Sequence, residues 1–274
     1  MEDRWGLRHY TVFMRDKLDV IKRACVYILF LLLIEGTLAG ALSIAIASEP
    51  PFDVGEKLTY QLKWGAIPAG EVNLEVLPNE IIDGKVGRHF RMTAKTNSFV
   101  DVFYRVRDKV DGYTDLPITR SLHYQKKQRE GSRKRDIVVK FDWQGNTAQY
   151  YNFNKERPVI SIDEGAFDPF SVLYYCRLFD FRENRDLVRS VTDGKKIIKG
   201  VARFKGRESI EINGTHYDTF LIEPDLEHIS GVFKKSKNAK IQIWFTDDDR
   251  RIPVRVKSKV VVGSFVAELI DMKI

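Results

Sequence analysis

Cysteine is almost missing from this chain. Two occur in 274 residues, Cys25 and Cys176, too few for a disulfide framework or a thiolate metal centre. Cys176 sits in the apolar run "VLYYCRLF", the setting of a buried, inert thiol. Histidine is sparse as well: five are scattered with no H-x-x-x-H or H-E-x-x-H spacing, so the helical zinc motifs are absent. Neither a G-x-S-x-G elbow nor a G-x-x-x-x-G-K-[ST] loop occurs, which removes the sequence signs of a strand-to-helix nucleophile and of a P-loop. A triad assembled from distant residues leaves no such sign. Charge of one sign does not dominate: a formal net charge of +7 on a chain that is 30% charged is mildly basic and does not indicate a nucleic-acid partner. No cofactor or metal is expected on these grounds.

Long hydrophobic runs are confined to the N-terminus. Arg4, Arg8, Arg15, Lys17, Lys22 and Arg23 precede an apolar run over residues 24–34, and small residues follow, ending Ala45-Ile46-Ala47. Basic, then apolar, then A-x-A is the layout of a secretory signal, predicting a signal peptide over 1–47 with cleavage before Ser48. A retained anchor is the alternative, since residues 24–47 are long enough to cross a bilayer. Glu35 and Gly36 interrupt that run, and a carboxylate at membrane depth is costly. Both readings place 48–274, as one β-rich domain, in the periplasm or otherwise outside the cytoplasm, anchored to the inner membrane in the second.

From Phe52 onward the pattern has period two. "EKLTYQLKW" puts Leu58, Tyr60, Leu62 and Trp64 on one face and Lys57, Thr59, Gln61 and Lys63 on the other, a half-buried strand. Residues 65–70 read as the first hairpin connection. Asp83-Gly84, Gly145-Asn146, Asp193-Gly194 and Asn213-Gly214 supply the positive φ of tight turns between later runs. Strand after strand at short spacing predicts a mainly β fold, an antiparallel meander forming a curved sheet or incomplete barrel. One segment departs from it: "DPFSVLYYCRLFDF", with Asp168 as N-cap, Pro169 at the first turn and Phe170, Leu173, Tyr174 and Leu178 at helical spacing, predicts one central helix over 169–181.

Three groups of residues are candidates for function. The aspartates Asp247, Asp248 and Asp249 lie between two strand-like runs, and read first as a hairpin tip with Arg250 and Arg251 offsetting their charge and second as a divalent-ion site, although they lack the spacing of an EF-hand loop. "QKKQREGSRKRD" carries Lys126, Lys127, Arg129, Arg133, Lys134 and Arg135, read as a solvated hairpin end or as a contact for anionic headgroups or polymer. A smaller basic patch, Lys234, Lys235, Lys237 and Lys240, follows Phe233. The strand and helix aromatics Tyr60, Trp64, Phe90, Tyr124, Trp143 and Tyr174 either form a packed core or wall an apolar pocket inside a curled sheet.

The ordered set "FDVGEKLTYQLKWGAIPAGEVNLEV", "YRVRDKVDGYTD", "FDW", "DPFSVLYYCR" and "WFTDDDRRIPVRV" resembles an exported bacterial family, domain-of-unknown-function family 3108, across nearly all of residues 52–273. The resemblance implies a cell-envelope β protein and no established reaction. The last block also resembles, at the level of fold, hairpins of periplasmic lipoprotein carriers. The expectation is a non-enzymatic envelope protein binding lipid, an acyl chain or another amphipathic ligand, with a membrane surface or an envelope protein as partner. Two alternatives stand beside it: a scaffold whose interior is filled by its own aromatics, and a hydrolase of envelope polymer using Asp247 and Asp249.

Overall fold

The computed structural model describes residues 49–183, 185–225, 240–260 and 263–274. The signal or anchor expected over 1–47, and Lys234, Lys235 and Lys237 of the second basic patch, lie outside the described residues. Among the described residues, fifteen strands form one antiparallel sheet. Its first part is β1 (Lys57–Trp64), β2 (Ile67–Ile82), β3 (Lys85–Thr96), the one-turn helix α1 (Ser98–Asp101), β4 (Arg107–Thr114), β5 (Ser121–Glu130), β6 (Arg133–Asp142), β7 (Thr147–Asn152), β8 (Lys155–Glu156) and β9 (Ile160–Ser161). Helix α2 (Ser171–Leu178) and a 3-10 turn (Phe181–Glu183) come next. The second part is β10 (Leu187–Thr192), β11 (Ile197–Ile212), β12 (Thr215–Pro224), β13 (Lys240–Thr246), β14 (Pro253–Val260) and β15 (Gly263–Lys273).

Neighbouring strands follow chain order except that β9 pairs with β7 and that β15 returns to pair with β1 and joins the two parts. The period-two pattern sets the inner face. Leu58, Tyr60 and Leu62 of β1, Val72, Leu74 and Val76 of β2, and Phe90 and Met92 of β3 are all buried in one cluster. Asp83, Asn146 and Asn213 take positive φ, as do Gly84, Gly194 and Gly214. The first turn is tighter than the sequence suggests: β1 ends at Trp64 and β2 begins at Ile67, leaving Gly65-Ala66, and Gly65 has φ 58°.

The sheet curls but does not close on itself. Its edges are β10 on one side and β8 with β9 on the other, and one segment touches both. Ile160 and Ser161 pair with β7, and six residues later Phe167 bridges in parallel to Val191 of β10, donating its amide to Ser190 and accepting from Thr192 at 2.9 Å each. The chain then turns inward as α2. Asp168, wholly buried, starts the turn: its Oδ1 accepts from the amides of Phe170 and Ser171 at 2.8 Å, and its Oδ2 from the Ser121 hydroxyl at 2.6 Å. The helix is shorter than the spacing predicted, Ser171–Leu178 instead of 169–181. The chain leaves helical geometry at Phe179 (ψ 134°), and Phe181, in the 3-10 turn, packs on Phe245. Helix α1 went unpredicted. Its signal is short, Asn97 capping the Val100 amide at 2.9 Å.

Ser171, Val172, Leu173, Tyr174, Cys176 and Arg177 are all buried, so α2 is enclosed nearly all round, as a helix inside a curled sheet must be. Gly112 of β4 permits the approach. A Cβ there would lie 2.4 Å from Ser171 Oγ and 3.3 Å from the Phe170 ring. Gly112→Ala is expected to destabilise the fold by about 1–3 kcal/mol through overpacking, read as a lower urea midpoint at unchanged slope.

Candidate functional site

Antiparallel order sorts the connections to two ends. The β1–β2, β3–β4 and β5–β6 connections share one end; the β2–β3, β4–β5 and β13–β14 connections share the other, where α2 lies.

At the helix end the interior is aromatic. Tyr174 of α2 stacks on Phe90 with centroids 3.9 Å apart, and Phe52 and Phe170 meet it edge-on. Tyr60 donates its hydroxyl to the Pro253 carbonyl at 2.7 Å, and Tyr124 is buried in the same cluster. Tyr60, Phe90, Tyr124 and Tyr174, four of the six aromatics expected to wall a pocket, are thus part of the buried core. The other two stand apart. Trp64 lies at the far end of β1, partly exposed and stacked on Phe265. Trp143 follows β6, stacked on Phe141, with the Arg120 guanidinium 5.0 Å from its ring and its Nε1 donating to the Ser121 carbonyl.

Helix α2 carries Arg177, 1% exposed. Its Nη1 and Nη2 donate to Glu56 Oε1 and Oε2 at 2.5 and 2.8 Å, and its Nε and Nη2 to the Arg250 carbonyl at 3.2 and 3.1 Å. The Phe52 ring lies beneath, 4.7 Å away. Cys176 beside it is buried, and burial pushes its thiol up to about 12, which leaves it protonated and unreactive.

The three aspartates form the β13–β14 turn. Asp248 Oδ1 accepts from the Thr246 hydroxyl at 2.6 Å and from the amides of Arg250 and Arg251 at 3.1 and 3.0 Å. Burial opposes ionisation of Asp248, but the Thr246, Arg251 and Arg250 contacts outweigh it and lower its pKa. Asp247 pairs with Arg207 at 3.1 Å and Asp249 with Arg182 at 3.3 Å, so the two carboxylates are held by different arginines. In the strand before the turn, Ile241, Ile243 and Phe245 join the core cluster from the inner side, and Trp244, on the other face, is buried as well and donates its Nε1 to Glu208 at 2.6 Å. Among the described residues no group of three or more His, Cys, Asp or Glu is placed to hold a metal ion.

At the other end the inner face becomes polar. Lys126 is 5% exposed, so it does not stand on the surface with the rest of its cluster. Strand alternation is the reason: in β5, Lys126, Gln128 and Glu130 face inward while Lys127 and Arg129 face out. Across the β5–β6 hairpin Glu130 pairs with Arg133, Gln128 with Arg135 and Lys126 with Ile137, which sets Arg133 and Arg135 on the inner side and leaves Lys134 exposed. Asp108 of β4 joins them, accepting from the Arg129 amide at 2.7 Å. Gln128 donates to Glu130 Oε1 at 2.6 Å. Burial, with Asp108 beside it, raises Glu130 to about 7; burial likewise raises Asp108 and lowers Lys126 to about 8.

A further cluster, on the outer face, has no counterpart in the sequence reading. His89, 1% exposed, places Nε2 2.7 Å from Asp111 and Nδ1 2.8 Å from Glu80, and stacks on Tyr113 at 4.3 Å, with His123 edge-on to the same ring. Burial disfavours the Asp111 charge, but His89, Lys109 and Arg91 hold its carboxyl at about 2. Residues 22 positions apart meet here because β3 and β4 pair His89 with Tyr113, a register the separate strands do not reveal.

The polar inner end makes a pH prediction. The folded pKa of Glu130, about 7, lies above the ordinary 4.5. The folded chain therefore holds a proton that the unfolded chain has released, and this stabilisation, full below about pH 4.5, is lost as pH rises through 7. Lys126 acts oppositely and higher, between about 8 and 10.5. Urea midpoints of the native chain are expected to fall between pH 5 and 7.5, and Glu130→Gln to flatten that fall.

No curated protein matches the sequence. Among solved structures, the chain is similar to a beta-barrel-like protein of domain of unknown function DUF1849 from Brucella abortus, with TM-score 0.51, 8% identity, and 80% of this chain and 97% of that one covered. That likeness is one of fold. The hypothetical protein CT021 from Chlamydia trachomatis aligns with TM-score 0.32 and 9% identity over 81% of this chain and 87% of its own. Lipoprotein LppX from Mycobacterium tuberculosis aligns with TM-score 0.21 and 9% identity over 78% and 86%. No helix among the described residues is long and apolar enough to cross a membrane. Residues 59–270 match the model of the family described as protein of unknown function, DUF3108, and the chain belongs to that family.

Proposed function

We propose that this chain is a non-enzymatic protein of the cell envelope that binds amphipathic lipid at the end of the barrel opposite α2. One observation supports this reading above others: large apolar side chains stand exposed beside cations on one continuous rim. Phe99 and Phe103 of the β3–β4 connection meet edge-on, 5.8 Å apart, each more than 60% exposed, and Val102 is 79% exposed. Asn97 ties this connection to the β1–β2 turn, donating from Nδ2 to the Pro68 carbonyl at 2.7 Å, which brings exposed Ile67 and Trp64 to the same rim. The Gly131 amide donates to the Arg105 carbonyl at 2.8 Å, which adds the β5–β6 hairpin with exposed Arg105 and Lys134. Apolar groups that enter the headgroup layer, flanked by cations that attract anionic lipid, are the elements of interfacial binding, at about 1 kcal/mol per basic residue near the surface.

In this reading Lys127, Arg129 and Lys134 are the anionic-surface contacts, while Arg133 and Arg135, on the inner side, are not, and Trp64 belongs to the lipid-facing rim. Tyr60, Phe90, Tyr124 and Tyr174 belong to the packed core at the helix end and contribute to binding only by keeping the fold rigid. The filling of that end by α2 favours a second reading, an envelope-assembly scaffold whose rim contacts a protein.

Flotation with vesicles separates the two. The purified chain is expected to float with phosphatidylglycerol vesicles and far less with phosphatidylcholine, and Phe99→Ser with Phe103→Ser to reduce binding at least fivefold without changing the urea midpoint. Absence of flotation at low salt would remove the lipid reading and leave the scaffold.

A further inference from the structure

At the helix end, where the two sheet edges approach, a cleft of about 500 Å³ opens between the β4–β5 connection, the segment before α2 and strands β10 and β11. Its size lies in the range of small-molecule sites. Three cations from three elements line it, Arg120, Arg189 and Lys199, against one lining carboxylate, Glu164. Ser190, directly opposite Lys199 in the β10–β11 register, and Thr119 add hydroxyls.

Arg189 and Arg120 are each oriented by an aromatic ring, and among the described residues only Arg120 of the three cations has a carboxylate within ion-pair distance. Arg189 lies with its guanidinium 4.4 Å over the Tyr175 ring of α2, and its Nη2 and Nη1 donate to the Tyr175 hydroxyl and the Val188 carbonyl. Among the described residues neither Arg189 nor Lys199 is in an ion pair. Arg120 is stacked 5.0 Å from the Trp143 ring, and its Nε is buried without a hydrogen-bond partner among the described residues. The carboxylates nearby are shared with other donors. Asp115, 3.7 Å from Arg120 Nε, accepts from the Thr119 amide at 2.6 Å and from the Thr119 hydroxyl, and Asp163 accepts from the Ser190 hydroxyl. A guanidinium oriented by an aromatic face and left without a carboxylate is the arrangement that receives an oxyanion, because charge-assisted N–H···O bonds then replace lost hydration. Three cations against one lining anion suit a group with more than one negative charge. A phosphate ester, at about −1.5 to −2 near neutral pH, meets that requirement.

We propose that this cleft is a binding site for a phosphate group carried by a small molecule or by a lipid headgroup, distinct from the lipid-facing rim at the opposite end. Arg189 and Arg120 hold the phosphate oxygens, Lys199 completes the charge, and Ser190 and Thr119 orient the carrier.

Titration calorimetry on the purified chain, with glycerol 3-phosphate, glycerol and dihexanoyl phosphatidic acid below its micellar concentration as probes, tests the site. Saturable binding of either phosphate probe, with none of glycerol, is the expected result; which phosphate probe binds more tightly identifies the carrier. Lys199→Met, an exposed substitution that leaves the fold intact, is expected to weaken binding at least fivefold, and Arg189→Gln at least tenfold with circular dichroism unchanged. Vesicle flotation stays unaffected in both variants, which separates this site from the rim. Failure of both phosphate probes to bind the native chain, equal binding of glycerol, or unchanged affinity in Lys199→Met would overturn the proposal.

Discussion

The architecture depends on a single buried ion pair that holds a helix inside a sheet. Arg177 and Glu56 are 1% and 2% exposed and joined by two hydrogen bonds. Charges removed from water to that extent are costly, and the cost is offset only when geometry is good and the remaining donors find acceptors. Here the Arg250 and Pro51 carbonyls accept the rest. The pair connects the start of β1, the end of α2 and the β13–β14 turn, three regions distant in sequence. Arg251 adds a return contact, donating to the Arg177 carbonyl at 3.2 Å. Loss of one partner leaves the other charge buried and exposes the interior at that end.

Once α2 is held there, the two ends of the curled sheet take different characters. The helix end is filled by rings, with Tyr174, Phe90, Phe52 and Phe170 in mutual contact. At the opposite end the enclosed part of β4 and β5 is polar, with Asp108, Lys126, Gln128 and Glu130 all buried. Burial of these groups is tolerable because they neutralise one another, one carboxyl holding a proton near neutral pH. Polarity along the inner face therefore changes within single strands: β5 runs from Leu122 and Tyr124 to Lys126 and Glu130. On the rim of that end Phe99, Val102 and Phe103 stand exposed.

Much of the fold was legible because its signals are local. Alternation in "EKLTYQLKW" and the positive-φ residues Asp83, Asn146 and Asn213 depend on neighbours one or two positions away. Asp168 was readable as the start of a helix for the same reason, although the helix ends early, at Leu178, because tertiary packing takes Phe181 toward Phe245. The aspartate turn was also readable, since Asp248 caps amides only two and three residues ahead. Less visible was the division of the basic hairpin. The same alternation that marks β5 as a strand sends Lys126 inside, but charge density made the run look like surface throughout. Arg177 and Glu56, 121 residues apart, and the His89–Asp111 cluster carried no motif at all.

The sequence by itself determined the strand-rich class, the order of the meander, its turns and the place of the inner helix, because hydrophobic period, turn chemistry and capping act over a few residues. Only the tertiary structure decided that Lys126 and Glu130 of β5 are enclosed, that α2 fills one end and not the other, and that Arg120, Arg189 and Lys199 line one cleft. Those outcomes depend on register and on the return of β15 to β1, contacts between residues up to about two hundred positions apart, where local pattern holds no information about pairing.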